Sequence, residues 1–345
     1  MTSFIDRILG DSAAFTQIAM AALGDRLGLW KDLAANGPAT STQLARRMGL
    51  SERHVREWLA AMAAASYLAY DTTTAQFALG SEHAAVLADE GGPMFLGGIP
   101  DLLVSYMKPY DRLVETFRTG GGVPQSAYPE ATYRGQERFS AGWYEHLLVQ
   151  KWLPAAGLDG ALASGLRLCD VGCGGGRAIV RLAKAYPASQ FVGYDVYGPN
   201  VHRARELAER AGVAQRVQFH QLDAAAGIGQ SFDVITTFDV VHDTAHPGQL
   251  LESIRGGLAA RGTYLCLEIK CAARLEDNFG PVGAMLHGVS VLYCMSTSLA
   301  HGGAALGTCG LHEGRLRELA SMAGFRNVDK LAIDDAFNDL YALTA

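Results

Sequence analysis

The sequence predicts an α/β protein: an open seven-stranded sheet with helices on both faces, preceded by a smaller, mostly helical unit. Three observations predict it. The stretch Asp170-Val-Gly-Cys-Gly-Gly-Gly-Arg177 follows the run Leu166–Cys169 and opens a helical pattern, so a strand enters a glycine loop and leaves as a helix. Beyond it, short apolar runs that read as strands recur at the spacing of βα units, and several end in an acid. Before it, apolar residues fall at helical spacing, with one short hairpin.

Taken in order, residues 12–35 carry Phe15, Ile18, Ala19, Ala22, Leu23, Leu27 and Leu29 at helical spacing. Residues 40–51 read as a helix, a turn at Gly49 and a cap at Ser51, and a second helix runs from Glu52 to Ala65. Residues 67–79 read as a hairpin, which completes a winged helix-turn-helix. Such a unit can read DNA through phosphate contacts from Arg46, Arg47, Arg53 and Arg56. The charge count opposes that use. Residues 36–90 hold four arginines against Glu52, Glu57, Asp71, Glu82, Asp89 and Glu90. Trp58, Leu59 and Met62 on the second helix read as packing residues. The competing use of the same shape is dimerisation, with the apolar residues of 12–35 at a two-fold interface.

Residues 93–155 are aromatic-rich, with Phe139, Trp143 and Trp152 among them, and are broken by Gly120-Gly-Gly-Val-Pro. The cofactor half follows. Gly172, Gly174 and Gly176 let the backbone turn tightly and approach a ligand without Cβ atoms in the way. Arg177 stands where a dinucleotide-binding G-x-G-x-x-G loop needs its last glycine, and no Gly-Lys-Ser/Thr ending is present for a phosphate loop. The run 190–195 is a second strand ending in Asp195, where a carboxylate can take hydrogen bonds from two ribose hydroxyls. A third strand over 216–221 leads to Asp223, and a fourth, 232–238, to Asp239, His242 and Asp243. A fifth strand is expected over 262–269, after the stretch Gly257–Gly262. A helix over 311–324 and two strands, 325–333 and 337–343, close the sheet, the last antiparallel.

This ordered set resembles the class I S-adenosylmethionine-dependent methyltransferases over residues 150–345, carried by Asp170–Gly176, Asp195, Leu222-Asp223, Phe232–Asp239 and Gly257–Gly262. The resemblance implies a Rossmann-like sheet that binds S-adenosyl-L-methionine. The glycine loop and Asp170 would lie on its methionine part, Asp195 on the ribose, Asp223 near adenine, and Phe238 and Asp239 at the strand end. The N-terminal layout resembles small-molecule O-methyltransferases that dimerise through a winged-helix domain. Val241-His242-Asp243 resembles their His-Asp element, whose histidine deprotonates the acceptor hydroxyl, although Thr244 stands where a tryptophan is common. A histidine that titrates near neutrality suits that role. The expected domains are 1–92 for dimerisation, 93–155 as linker and pocket segment, and 156–345 for the cofactor. Phe139 and Trp143 from the linker, and Met285, His287 and Tyr293 from a long insertion after the fifth strand, are expected to wall a pocket. Gly302, Gly303 and Gly307 would let that insertion move as a lid.

Composition sets the outer limits. The chain has 345 residues, 49% hydrophobic and 19% charged, with a net charge of −6, which offers no general attraction to nucleic acid or anionic membrane. No signal peptide and no apolar run of spanning length are read from the sequence, so a cytoplasmic location is expected. The six cysteines lack C-x-x-C spacing and read as small buried residues, with no metal site expected. The expected activity is methyl transfer to a small organic, natural-product-like acceptor, oxygen favoured, by a homodimer. A nitrogen, sulfur or carbon acceptor stays open. So do a DNA-binding regulator with a cofactor-sensing domain and a cofactor-binding protein that transfers no methyl group.

Overall fold

The computed structural model describes residues 3–344, which divide into two compact units. Among the described residues, one comprises 3–108 and 129–142, and the other 109–128 and 143–344, so the segment 93–155 is shared between them.

The first unit is built on helices Phe4–Arg26, Leu29–Asn36, Ser41–Met48 and Glu52–Ala64, with the hairpin β1 (Ala69–Asp71) and β2 (Gln76–Ala78) as its wing. The apolar spacing of 12–35 is split between two helices. Gly28, at φ 72°, adopts the left-handed conformation that turns the chain between them. Thr40 and Gln43 form a reciprocal capping box, whereas the Ser51 hydroxyl sits 3.0 Å from His54 Nδ1 and caps nothing. Trp30 and Trp58 pack edge to face with centroids 4.7 Å apart. Their indole N–H groups donate to Ala21 O and Met20 O at 3.0 and 2.8 Å. Gly24 lies beneath both rings, and a Cβ there would run into Trp58 and Trp30. Trp58, Leu59 and Met62 are therefore packing residues, all buried.

In the second unit seven strands form one sheet: β3 (Arg167–Val171), β4 (Gln190–Asp195), β5 (Val217–Gln221), β6 (Phe232–Phe238), β7 (Leu258–Ile269), β8 (Asn327–Leu331) and β9 (Asn338–Thr344). Their order is β5-β4-β3-β6-β7-β9-β8. The pairings from β5 to β7 are parallel, and β9 lies antiparallel between β7 and β8. Chain direction reverses laterally beside β3, between β4 and β6. That crevice at the strands' carboxyl ends is where open α/β sheets take their ligands. Alternate side chains feed two cores. Leu168, Phe191, Phe219 and Leu265 pack with helices Arg177–Ala185 and Gly198–Arg210, while Cys169, Val192, Ile235 and Cys266 pack with helices Pro247–Gly257 and Glu313–Met322.

Two details differ from expectation. β7 begins at Leu258, before the expected start at Gly262. Leu258 already pairs with Phe232 and Thr263 with Val234, so 259–262 bulge opposite a single residue. Gly262 permits this, since a Cβ there would press on Ala259 and Asp233 backbone. The insertion after β7 is mostly one helical run through Pro281–Val289, a π-helical turn Ser290–Cys294, and Met295–Ala300. By length and composition alone this 20-residue run, mean hydropathy 1.3, is long and apolar enough to cross a membrane, although Gly, Ser, Thr and His interrupt it. Its buried residues include Ser290, Tyr293, Cys294, Ser296, Thr297 and Ser298. Beyond it, Gly302 has open space where a Cβ would stand, whereas Gly303 and Gly307 serve close packing. Gly303 has no room for a Cβ against Ala245 and Ser298, nor Gly307 against Ser290. Ala304 N–H donates to Ala245 O at 2.8 Å and Ala305 N–H to Ser298 Oγ at 3.1 Å.

Candidate active site

The glycine loop joins β3 to the helix Arg177–Ala185, and three of its four glycines, Gly172, Gly174 and Gly176, divide two jobs between them. All have positive φ: Gly172 72°, Gly174 52°, Gly176 78°. A Cβ on Gly172 would strike Val240, and one on Gly176 would press Phe219 Cζ at 2.8 Å and Ala204 Cβ at 2.9 Å. Both are packing requirements. A Cβ on Gly174 would meet nothing within 4 Å, so the middle of the loop faces open space. That is the face a ligand can approach closely.

Asp195, at the end of β4, holds this loop from beside it. Its Oδ2 accepts from Gly174 N–H at 2.9 Å; its Oδ1 accepts from Tyr197 N–H at 2.8 Å and Asn200 Nδ2 at 3.2 Å. Burial pushes the carboxyl's pKa up, against the pull of those hydrogen bonds. Asp170 is buried at the end of β3 and accepts from Thr236 Oγ1 at 2.7 Å. Burial raises it to about 7; the Thr236 bond opposes this and the Asp195 charge adds to it. Asp223 is exposed, and its Oδ1 caps the short turn Ala224–Ala226 through Ala225 N–H at 3.0 Å. Between Asp195 and β5, Val196 is 49% exposed, a bare apolar side chain beside the loop's brace.

At the end of β6, Phe238 is buried with Tyr144 and Trp152, centroids 5.4 and 5.9 Å away. The chain then turns through Asp239, which has φ 56°, a conformation that side-chain-bearing residues rarely adopt. Its N–H is tied to Leu267 O at 2.9 Å, and its Oδ1 is shut from solvent with no hydrogen-bond partner. Burial, then the charge of Glu268, drives its pKa upward, while His242 opposes.

That turn delivers His242 into the interior of the unit, 2% exposed. Its Nδ1 lies 2.6 Å from Glu268 Oε2, and Glu268 Oε1 accepts from Val241 N–H at 2.7 Å. Its Nε2 is 3.2 Å from Asp243 Oδ1, near enough for charge attraction, although that oxygen accepts no well-aligned hydrogen bond. Burial works against a charged ring. The carboxylates of Asp243 and Glu268 outweigh it, and the pKa stands well above 6.5. Glu268 had escaped notice in the sequence, although a lone acid inside the apolar run Tyr264–Ile269 was a signal.

Of the expected pocket wall, Tyr293 is buried against Tyr128, with ring centroids 5.0 Å apart. Met285 and His287 are exposed on the helix Pro281–Val289, two turns earlier. Trp143 packs against the sheet's core, and Phe139 belongs to the other unit. Where the cysteine spacing offered no metal pattern, the fold assembles two mixed groups. The ligand atoms of His242, Asp243 and Cys294 lie within 4.8 Å of one another, as do those of Asp239, His242 and Glu268.

Comparison with known proteins follows the two-part organisation. Residues 14–89 match the Rv2258c-like winged HTH domain, and residues 162–305 match a methyltransferase domain. Among curated relatives, the ubiquinone biosynthesis O-methyltransferase of Cereibacter sphaeroides is 33% identical over 102 residues, 30% of this chain and 40% of that protein. The Ruegeria pomeroyi enzyme of the same name is 33% identical over 106 residues, 31% of this chain and 42% of that one. The chain thus spans about two-fifths of the length of the curated relatives it matches. Solved structures align end to end at low identity. Human N-acetylserotonin methyltransferase in complex with SAM gives a TM-score of 0.72 at 19% identity, covering 100% of this chain and 99% of that one. Mitomycin 7-O-methyltransferase gives 0.70 at 19%, covering 99% and 97%. At such identity the likeness concerns the fold. The chain carries a methyltransferase domain behind a winged helix-turn-helix domain.

Proposed function

We propose that this chain transfers a methyl group from S-adenosyl-L-methionine to a small organic acceptor, with oxygen as the favoured methylated atom. The observation that carries the reading is a junction in one unit. A glycine loop open at Gly174 packs through Gly172 on Val240, two residues before a buried histidine braced by Glu268. The cofactor fits the donor set. It has no phosphate, and the loop has no lysine; it is a cation, and carboxylates surround the strand ends. Bound there, it supplies a methyl group already activated on a positive sulfur. Asp170 and the loop would hold its methionine part, Asp195 its ribose and Asp223 its adenine, with Phe238 and Asp239 at the strand end.

The chain's own task is alignment and proton removal. Glu268 fixes the His242 ring through Nδ1, which leaves Nε2 as the atom that takes the acceptor's proton once the ring is neutral. The related enzymes named for O-methylation of mitomycin and ubiquinone precursors support oxygen. One observation favours a second reading. Two carboxylates hold His242 in its charged form, and a nitrogen or thiolate acceptor needs alignment but no base. His242→Ala divides them: a loss of about 10²–10⁴-fold in turnover marks a base, and full turnover removes it from the reaction.

Calorimetry with the cofactor tests the foundation. The intact chain should bind it, and Asp195→Ala should weaken binding by about 1–3 kcal/mol. Equal affinity for both proteins would withdraw the ribose role. The active species is a homodimer. Helix Phe4–Arg26 exposes Phe4, Ile5, Ile8, Leu9 and Phe15, a face that a second copy would cover. Sedimentation as a single-copy species would remove this part. In the winged helix, Arg47, Arg53 and Arg56 are ion-paired with Asp32, Glu57 and Glu52, which supports pairing of chains over binding of phosphates.

A further inference from the structure

The geometry points to a binding site for a thiophilic divalent cation of the zinc class, ligated by His242 Nε2, Asp243 Oδ1 and Cys294 Sγ. One ligand atom from each of these three side chains lies within 4.8 Å of the others, and Nε2 is 3.2 Å from Asp243 Oδ1. Nitrogen, sulfur and oxygen in a trio is a donor set that zinc accepts, and three protein ligands leave a fourth position for water. Asp243 Oδ1 is shut from solvent and has no hydrogen-bond partner, so a ligand on that side would satisfy an oxygen that is otherwise costly to bury.

The surroundings have the order that a metal site needs. A histidine that ligates through one nitrogen ordinarily gives the other N–H to a carboxylate, which sets the ring's orientation and basicity. Here Glu268 takes that place at 2.6 Å from Nδ1, and Val241 N–H pins the same carboxylate at 2.7 Å. The sulfur has a partner too, since Thr308 Oγ1 donates to Cys294 Sγ at 3.1 Å. Thr308 is itself fixed by its N–H to Ser290 Oγ at 3.3 Å. The elements that meet here are the turn after β6, β7, the π-helical turn Ser290–Cys294 and the packed loop that holds Thr308. Binding would release the thiol proton and, wherever the ring is charged, the proton on Nε2, both to solvent. It would also occupy the nitrogen assigned above as base, so metal and proton acceptance exclude each other. The site itself does not rest on the methyl-transfer reading.

Cobalt(II) titration of chelator-treated full-length protein, with no cofactor or acceptor, tests it. Visible d–d bands of a tetrahedral site and a thiolate-to-cobalt charge-transfer band in the near ultraviolet are expected, both lost on adding zinc. Cys294→Ser should abolish the charge-transfer band. Asp243→Asn and Glu268→Gln should each weaken zinc about 10–100-fold. A featureless titration, or a charge-transfer band that persists in folded Cys294→Ser, overturns the site. If Cys294→Ser does not fold, unchanged zinc affinity in Asp243→Asn overturns it. Because the readout is optical, a chain that binds cobalt but transfers no methyl group, and the converse, remain distinct results.

Discussion

The charge state of His242 is the quantity on which the chemistry turns, and Glu268→Gln changes it in a calculable direction. In the native chain both Glu268 oxygens are committed, one to Val241 N–H and one to His242 Nδ1. Glutamine has only one oxygen. If it keeps the Val241 bond, its amide NH₂ faces Nδ1, and two donors meet unless the ring gives up its proton there. The substitution therefore removes a charge-assisted hydrogen bond of about 1.5–3 kcal/mol to the imidazolium. That is roughly a ten- to hundredfold weaker hold on the proton. Asp243 at 3.2 Å remains, and Cys294 is a further partner of the ring, so some elevation should survive.

The assay is the titration of His242 in histidine-labelled protein by nuclear magnetic resonance, with His242→Asn to assign its signal. In the native chain it should titrate above the ordinary value of about 6.5. In Glu268→Gln the titration should move down. Stability follows the same sign. A folded-state pKa above the unfolded one contributes stability that is fully present below the unfolded value and is lost as pH rises through the folded value. Glu268→Gln should therefore destabilise the chain more at pH 6 than at pH 9. Titration at or below the ordinary value in the native chain, or no movement in the variant, would refute the reasoning.

Gly172→Ala should cost about 2–4 kcal/mol of unfolding free energy, from the left-handed backbone and the collision with Val240. Gly174→Ala should cost only about 1 kcal/mol yet lower cofactor affinity, because its methyl group enters the open face of the loop. Equal losses of stability, or unchanged affinity in Gly174→Ala, would contradict the division of labour. The preference for S-adenosylmethionine over its uncharged-sulfur product should grow with pH, by on the order of 1–3 kcal/mol, as Asp239, raised to about 8, loses its proton. A ratio of dissociation constants that stays flat across pH 6–9 would place the sulfonium elsewhere.

What the sequence disclosed, it disclosed through local chemistry. The strand-to-loop-to-helix turn at Asp170–Arg177 and the strand Gln190–Asp195 are legible because glycine, β-branched residues and terminal acids report their own backbone. The bulge at 259–262 is not, because it depends on which residues of β6 lie opposite. The same limit governs the site. His242 and Asp243 are adjacent in the chain and were read together, but Glu268 and Cys294 come from a neighbouring strand and an inserted helix. Only the pairing of β6 with β7 makes Glu268 the brace of His242. Gly303 and Gly307 illustrate the converse, since a residue that signals freedom in isolation signals close approach once Ala245, Ser298 and Ser290 are known to lie against it. Glycine states only that a Cβ is absent, and the packing decides whether the space is used for motion or for contact.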